Sequence, residues 1–231
     1  MKIIKNEKLI ARNSKIGQFT SLGALAVLGV GMYISFQKPE LFYYSIAALI
    51  VGFMMTQVGM FFTNRWGRTP RPDEQLDASL KGLPGDTTIY HYVAPVSHLL
   101  VGPAGIWILM PFHQRGKVTY EKNRWRLSGG GFMQAYMTIF GQEGIGRPDL
   151  ELENHIESLK KYFSKKMDGD EVPEIKGILV FTSDQIEIDA AEAPLPALQI
   201  KKLKEFVRQK SKEQSLGSLM LQKITSALPQ E

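Results

Sequence analysis

"HLLVGPAGIWILMPF", residues 98–112, places two apolar runs on either side of a Gly-Pro-Ala-Gly corner. Pro103 presets its own φ and Gly105 tolerates a positive one, so the corner suits a tight turn between antiparallel neighbours. The runs hardly alternate with polar residues. Such strands are covered on both faces, and the covering layers have to come from the flanking chain. The flanks supply them. "TIYHYV" (88–93) and "KVTYEKNRWRL" (117–127), set off by Pro, Gly and Asn, extend the pair into a meander of strands. Upstream, "DEQLDASLKGL" (73–83) has Leu76, Leu80 and Leu83 at helical spacing, acids in its first turn and Gly82 near its end, which predicts a helix.

Downstream, residues 128–147 are glycine-rich at both ends with an apolar centre. "PDLELENHIESLKKYFSKK" (148–166) then puts Leu152, Ile156, Leu159 and Phe163 on one face of an amphipathic helix. "IKGILVFTS" (175–183) is a continuous apolar run suited to a buried, parallel strand, and "IEIDA" follows a turn at Asp184 and Gln185. "QIKKLKEFVRQKS" (199–211) and "LGSLMLQKITSAL" (216–228) read as two closing helices. Helix, strand meander, helix, strand and helices predict an α/β sandwich around a mixed sheet over residues 73–231.

The amino-terminal third reads differently. Residues 16–36 and 42–62 carry no charge, and at 1.5 Å per residue each reaches about 30 Å, the thickness of a bilayer core. The joining "QKPEL" is just long enough for a helical hairpin, with Tyr33, Phe36, Phe42, Tyr43 and Tyr44 gathered at interfacial depth. A basic segment, residues 1–15, precedes the hairpin and a basic linker, residues 63–72, follows it. The positive-inside rule therefore places both termini on the cytoplasmic side of a two-pass cell-membrane protein. The same cations suit anionic lipid headgroups. Ala48, Gly52 and Thr56 form a small-residue stripe, for a contact within the hairpin or between copies in a homo-oligomer.

Composition removes several function classes. Among 231 residues there is no cysteine, which excludes disulfides, thiolate metal sites and cysteine nucleophiles. The net charge of +5 is concentrated upstream, with +4 in residues 1–15 and +3 in 63–72, leaving −2 for 73–231. The overall basicity thus argues for the membrane surface and gives little support to nucleic acid. Neither span carries a charge that would serve an ion path, which argues against a transporter. One local stretch keeps nucleic acid in view: Arg115, Lys117, Lys122, Arg124 and Arg126 surround Tyr120 and Trp125, offering phosphate contacts and a stacking surface. The simpler reading is an exposed hairpin with alternate charges in water and Trp125 turned inward. "SGGG" (128–131) lacks the lysine and hydroxyl context of a phosphate loop. His91 and His155 show no partner pattern.

The order of elements and several local strings resemble the nuclease-related domain, NERD, of the restriction-endonuclease-like superfamily, over roughly residues 73–210. His98 to Gly105 resembles that family's His, apolar run and Gly-Pro-x-Gly turn, and Ile106 to Leu109 its second strand. Gly116 and Trp125 match the outline of the following hairpin, residues 148–163 the next helix, and residues 175–183 the late strand. The resemblance implies a metal-dependent nuclease fold, with an Asp at position 97, Glu at 110 and Lys at 112. This chain has Ser97, Met110 and Phe112 there, and Glu151 where the family has a Gln. A neutral hydroxyl, a soft thioether and a phenyl ring cannot hold Mg²⁺ or generate hydroxide, so the resemblance implies a pseudo-enzyme without cofactor. Three functions follow as expectations. The first is an inactive nuclease-related domain binding a protein or nucleic acid at the membrane. The second is a relocated centre using Mg²⁺ or Mn²⁺ with Glu74, His98, His113 and Glu121. The third is an oligomeric membrane scaffold.

Overall fold

The computed structural model describes residues 1–129, 144–167, 172–213 and 215–230. The chain divides into two units: Glu7–Arg71, and Met1–Asn6 together with Pro72–Glu231.

The first unit is a helical hairpin. Helix α1 (Glu7–Gln37) and helix α2 (Phe42–Phe62) are joined through a short turn at Pro39–Leu41, and a wider helical turn, Thr63–Gly67, ends the second. Both are long and apolar enough to cross a membrane. Small residues let the two backbones approach. A Cβ added at Gly31 would lie 2.7 Å from the Ala48 Cβ, one at Gly52 would lie 2.6 Å from Leu28, and one at Gly59 would lie 2.5 Å from Ser21. Ala48 and Gly52 thus face α1 inside the hairpin, while Thr56 returns its hydroxyl to the Gly52 carbonyl at 2.8 Å. The large apolar side chains point the other way, with Phe19, Leu25, Phe53 and Met54 all exposed. A water-soluble protein inverts this arrangement; packing by small residues with bulky residues outward suits a lipid solvent.

The second unit is built on strands β1 (Lys2–Lys5), β2 (Thr88–His91), β3 (His98–Gly102), β4 (Gly105–Phe112), β5 (Gly116–Glu121), β6 (Arg124–Ser128), β7 (Ile175–Phe181), β8 (Ile186–Asp189) and β9 (Ala197–Gln199). Its helices are α3 (Pro72–Leu80), α4 (Pro148–Ser164), α5 (Ile200–Glu213) and α6 (Ser218–Ala227). Six strands form one mixed sheet in the order β1-β2-β3-β4-β7-β9. β2, β3 and β4 are antiparallel, whereas β1 runs parallel to β2 and β7 runs parallel to both β4 and β9.

Side chains alternate between two cores. Ile89, Leu100, Trp107, Leu109, Ile178 and Val180 face Leu76 and Leu80 of α3 and Leu203 of α5. Tyr90, Leu99, Ile108, Met110, Leu179 and Phe181 share the other core with Leu152 and Phe163 of α4 and Ile224 of α6. Gly177 is where α4 comes closest, since a Cβ there would overlap Leu152 at 2.3 Å.

Two expectations are corrected here. Residues 1–15 are not a segment apart from the domain, because Lys2–Lys5 pairs along Thr88–His91 and buries Ile4 in the main core before α1 begins. Two isoleucines between lysines in "KIIK" are too short a strand signal to stand out against its charge. Nor does the meander continue through residue 127. After β4 the chain leaves the large sheet, and β5 and β6 form a hairpin with Lys122 and Asn123 at φ 51° and 57°. That hairpin joins β8 in a three-stranded sheet of order β6-β5-β8. The centre of the glycine-rich stretch, including the last two glycines of "SGGG", falls outside the described residues.

Candidate functional site

A dense polar constellation in the α/β unit lies on the α3 side of the sheet. Lys5, His91 and His98 occupy matching positions on three neighbouring strands, since Lys5 pairs with His91 and His91 with His98. Cross-strand partners share a face, so the three side chains stand in a row. Helix α3 covers that row with Asp73 and Asp77, one turn apart. Lys5 Nζ lies 3.2 Å from an Asp73 oxygen and also bonds Asp77. The other Asp77 oxygen meets His91 Nε2 at 3.0 Å, and His91 Nδ1 meets His98 Nδ1 at 2.7 Å.

Hydrogen-bond logic orders the protons. Asp77, already bonded to an ammonium, accepts from His91 Nε2–H, which leaves His91 Nδ1 as an acceptor. His98 Nδ1–H then donates to it. Tyr92, at φ 60°, reverses the chain after β2, donates its backbone N–H to the Ser97 carbonyl at 2.9 Å, and sets its ring edge against His98. Burial lowers the Lys5 pKa, but hydrogen bonds and charge from Asp77 and Asp73 outweigh it and hold the ammonium above its ordinary value.

The positions that the nuclease resemblance points to lie elsewhere. Met110 is 5 % exposed and packs in the core on the α4 side, paired with Leu179. Phe112 pairs with Phe181, ring on ring at 5.6 Å. Ser97 sits in the loop before β3. His98 lies on the opposite face of the sheet from Met110, because its partner His91 has the parity of Ile89 in the α3 core. The donor set of Ser97, Met110 and Phe112 does not fit Mg²⁺ or Mn²⁺. Among the described residues, no group of three or more His, Asp or Glu side chains is placed to hold a metal ion.

The residues considered for a relocated centre are dispersed. Glu74 is on α3, His98 belongs to the polar row, His113 is exposed after β4, and Glu121 stands opposite Arg124 in the β5–β6 hairpin. Alternation in that hairpin is as expected, with Trp125 buried and Arg124 and Arg126 exposed. The cations do not stand alone on their face. Lys117 bonds Glu187 at 2.8 Å and Asp189 at 3.1 Å, contributed by β8. Those two carboxylates, with Glu121, match Lys117, Arg124 and Arg126 in number on the outer face. Arg115 and Lys122 are exposed at the two ends of β5.

Sequence reasoning missed Lys5, Asp73, Asp77 and His91, and the expectation that His91 has no partner is corrected by its two bonds. One signal was present. Residues 73, 76, 77 and 80 fall on one face of a helix, so Asp73 and Asp77 extend the Leu76–Leu80 stripe instead of facing water. Glu74, one position round the helix, is only half-buried while Asp73 is fully buried.

No family model, no curated protein and no solved structure matches this chain.

Proposed function

We propose that this chain is a two-pass membrane protein whose amino terminus and α/β unit share the cytoplasmic side, and whose α/β unit is a nuclease-related, NERD-like domain that binds a partner without hydrolysing phosphodiesters. The observation that carries the loss of hydrolysis is the burial of Met110 and the stacking of Phe112 on Phe181. Aromatic and thioether packing has taken the two places where an acid and a lysine would have to meet a metal and a phosphate. The order α3, antiparallel β2-β3-β4, α4, then β7 parallel to β4 supports the scaffold reading. The topology rests on β1. Residues 2–5 and 88–91 are neighbouring strands, which supports an even number of crossings between them, with α1 and α2 as the two candidate spans. The basic flanks select the cytoplasmic side. The charge-balanced face of the small sheet favours a protein over nucleic acid as partner.

Full-length protein in lipid nanodiscs, incubated with labelled single- and double-stranded DNA and Mg²⁺ or Mn²⁺, should leave the DNA intact. Metal-dependent cleavage lost on Glu74→Gln or Glu121→Gln would overturn this reading in favour of a relocated centre. Salt-sensitive DNA binding without cleavage would replace the protein partner with nucleic acid. Because the chain lacks cysteine, single cysteines report topology cleanly. One at Gln37 should react with an impermeant maleimide on intact cells, and one at Ser183 only after permeabilisation; the reverse pattern would refute the orientation.

A further inference from the structure

At the end of the sheet away from the histidine row, the Gly-Pro-Ala-Gly corner between β3 and β4 closes one side of a pocket of about 410 Å³. Its volume falls within the range of about 300–1,000 Å³ typical of small-molecule sites. Leu83, Leu100 and Val207 give it an apolar floor, and Arg208 and Lys212 of α5 stand on its wall. Two observations indicate what it takes.

The cations are uncompensated. Arg208 is held by a single bond to the Gly82 carbonyl at 3.3 Å, and among the described residues no carboxylate pairs with it or with Lys212. Lys210, two residues from each, is by contrast bonded to Glu213 at 2.6 Å. The second observation is Thr87, which lines the pocket and is only 3 % exposed. Its backbone N–H and carbonyl are used by Pro84 and Lys2. Its hydroxyl makes no hydrogen bond among the described residues and lies against Gly102, where a Cβ would come within 3.0 Å of it. Since Thr87 lines the pocket, a ligand oxygen there can bond this hydroxyl in place of water.

From this geometry we infer that the pocket binds a small amphipathic anion, with an aliphatic or aromatic body on the Leu83–Leu100–Val207 floor and a carboxylate between Arg208, Lys212 and the Thr87 hydroxyl. The apolar body gains by burial, and the head gains charge-assisted hydrogen bonds that a neutral head would not. The site is independent of the degenerate nuclease positions.

The test uses full-length protein in nanodiscs of neutral lipid, with methyl-labelled Leu and Val, titrated with 4-phenylbutyrate and with its neutral counterpart 4-phenylbutanol. The acid should shift the Leu83, Leu100 and Val207 methyl signals saturably, and the alcohol should bind about tenfold more weakly, equivalent to about 1.4 kcal/mol. Arg208→Ala with Lys212→Ala, both exposed positions, should weaken the acid by a similar factor and leave the alcohol unchanged. Ala104→Phe, which fills the pocket from the corner, should abolish both. Equal affinity for acid and alcohol, an acid affinity indifferent to the double substitution, or methyl signals unmoved by either probe would each overturn the inference.

Discussion

Lys5 shows how one side chain can join parts of a chain that the sequence keeps far apart. Its ammonium meets two carboxylates of α3, one of them fully buried. Lys5→Met keeps much of the volume and removes the charge, so Asp73 loses its cation in a dry setting. We expect a loss on the order of 2–3 kcal/mol in denaturant unfolding. The pH dependence has a definite sign. A lysine whose folded pKa is raised contributes stability that is complete below its unfolded value of about 10.4 and is lost as pH rises through the folded one. Unfolding followed from neutral pH to above 11 should show wild-type stability falling at the alkaline end more steeply than that of Lys5→Met.

Met110 makes the complementary case. Restoring the acid the resemblance points to, as Met110→Glu, puts a carboxyl among Leu179, Phe181 and Val118. It should cost about 2–4 kcal/mol and yield no nuclease, as measured by thermal unfolding beside a cleavage assay. Sequence showed that positions 97, 110 and 112 carry no charge. It did not reveal that His98 faces away from Met110, because face follows from strand register, and register is settled by pairing with β2.

At the scale of elements, legibility tracked length and periodicity. The two apolar helices, the amphipathic helix at 148–164 and the buried parallel strand at 175–181 each carry a signal many residues long. β1 and β9, of four and three residues, carry almost none and exist because a neighbouring strand offers them hydrogen bonds. The second sheet was illegible for another reason. β5 and β8 are separated in the chain by a hairpin, a helix and the buried strand β7, and what brings them together is the turn of the backbone after β4, where the Gly116 N–H bonds the Gln185 carbonyl at 2.8 Å. In the hairpin, Ala48 and Gly52 of the small-residue stripe face α1. Gly52→Leu therefore has nowhere to place its side chain except into Leu28 and the Ala24 carbonyl. Overpacking should separate the helices at a cost of about 1–3 kcal/mol, readable as a lower midpoint in SDS titration of the nanodisc-extracted protein followed through Trp66 fluorescence.

For the whole molecule, the order of units along the chain matters more than their sizes. The α/β unit begins at residue 1, is interrupted after Asn6 and resumes at Pro72. The interruption opens and closes at one place, since Lys5 and Asp73 bond across it. The helical hairpin is thus inserted within the α/β unit. Cutting it out and splicing residue 6 to residue 72 through a few glycines and serines should yield a water-soluble protein that keeps its first strand. A simple truncation to residues 72–231 should be less stable, because it exposes the edge of β2 and removes Lys5 from beside Asp73. The seam also has a bearing on assembly. Residues 2–5 cannot find their place until residues 88–91 have been synthesised, so the edge of the sheet closes only after the whole hairpin has been made, and the two ends of the insertion are fastened together behind it.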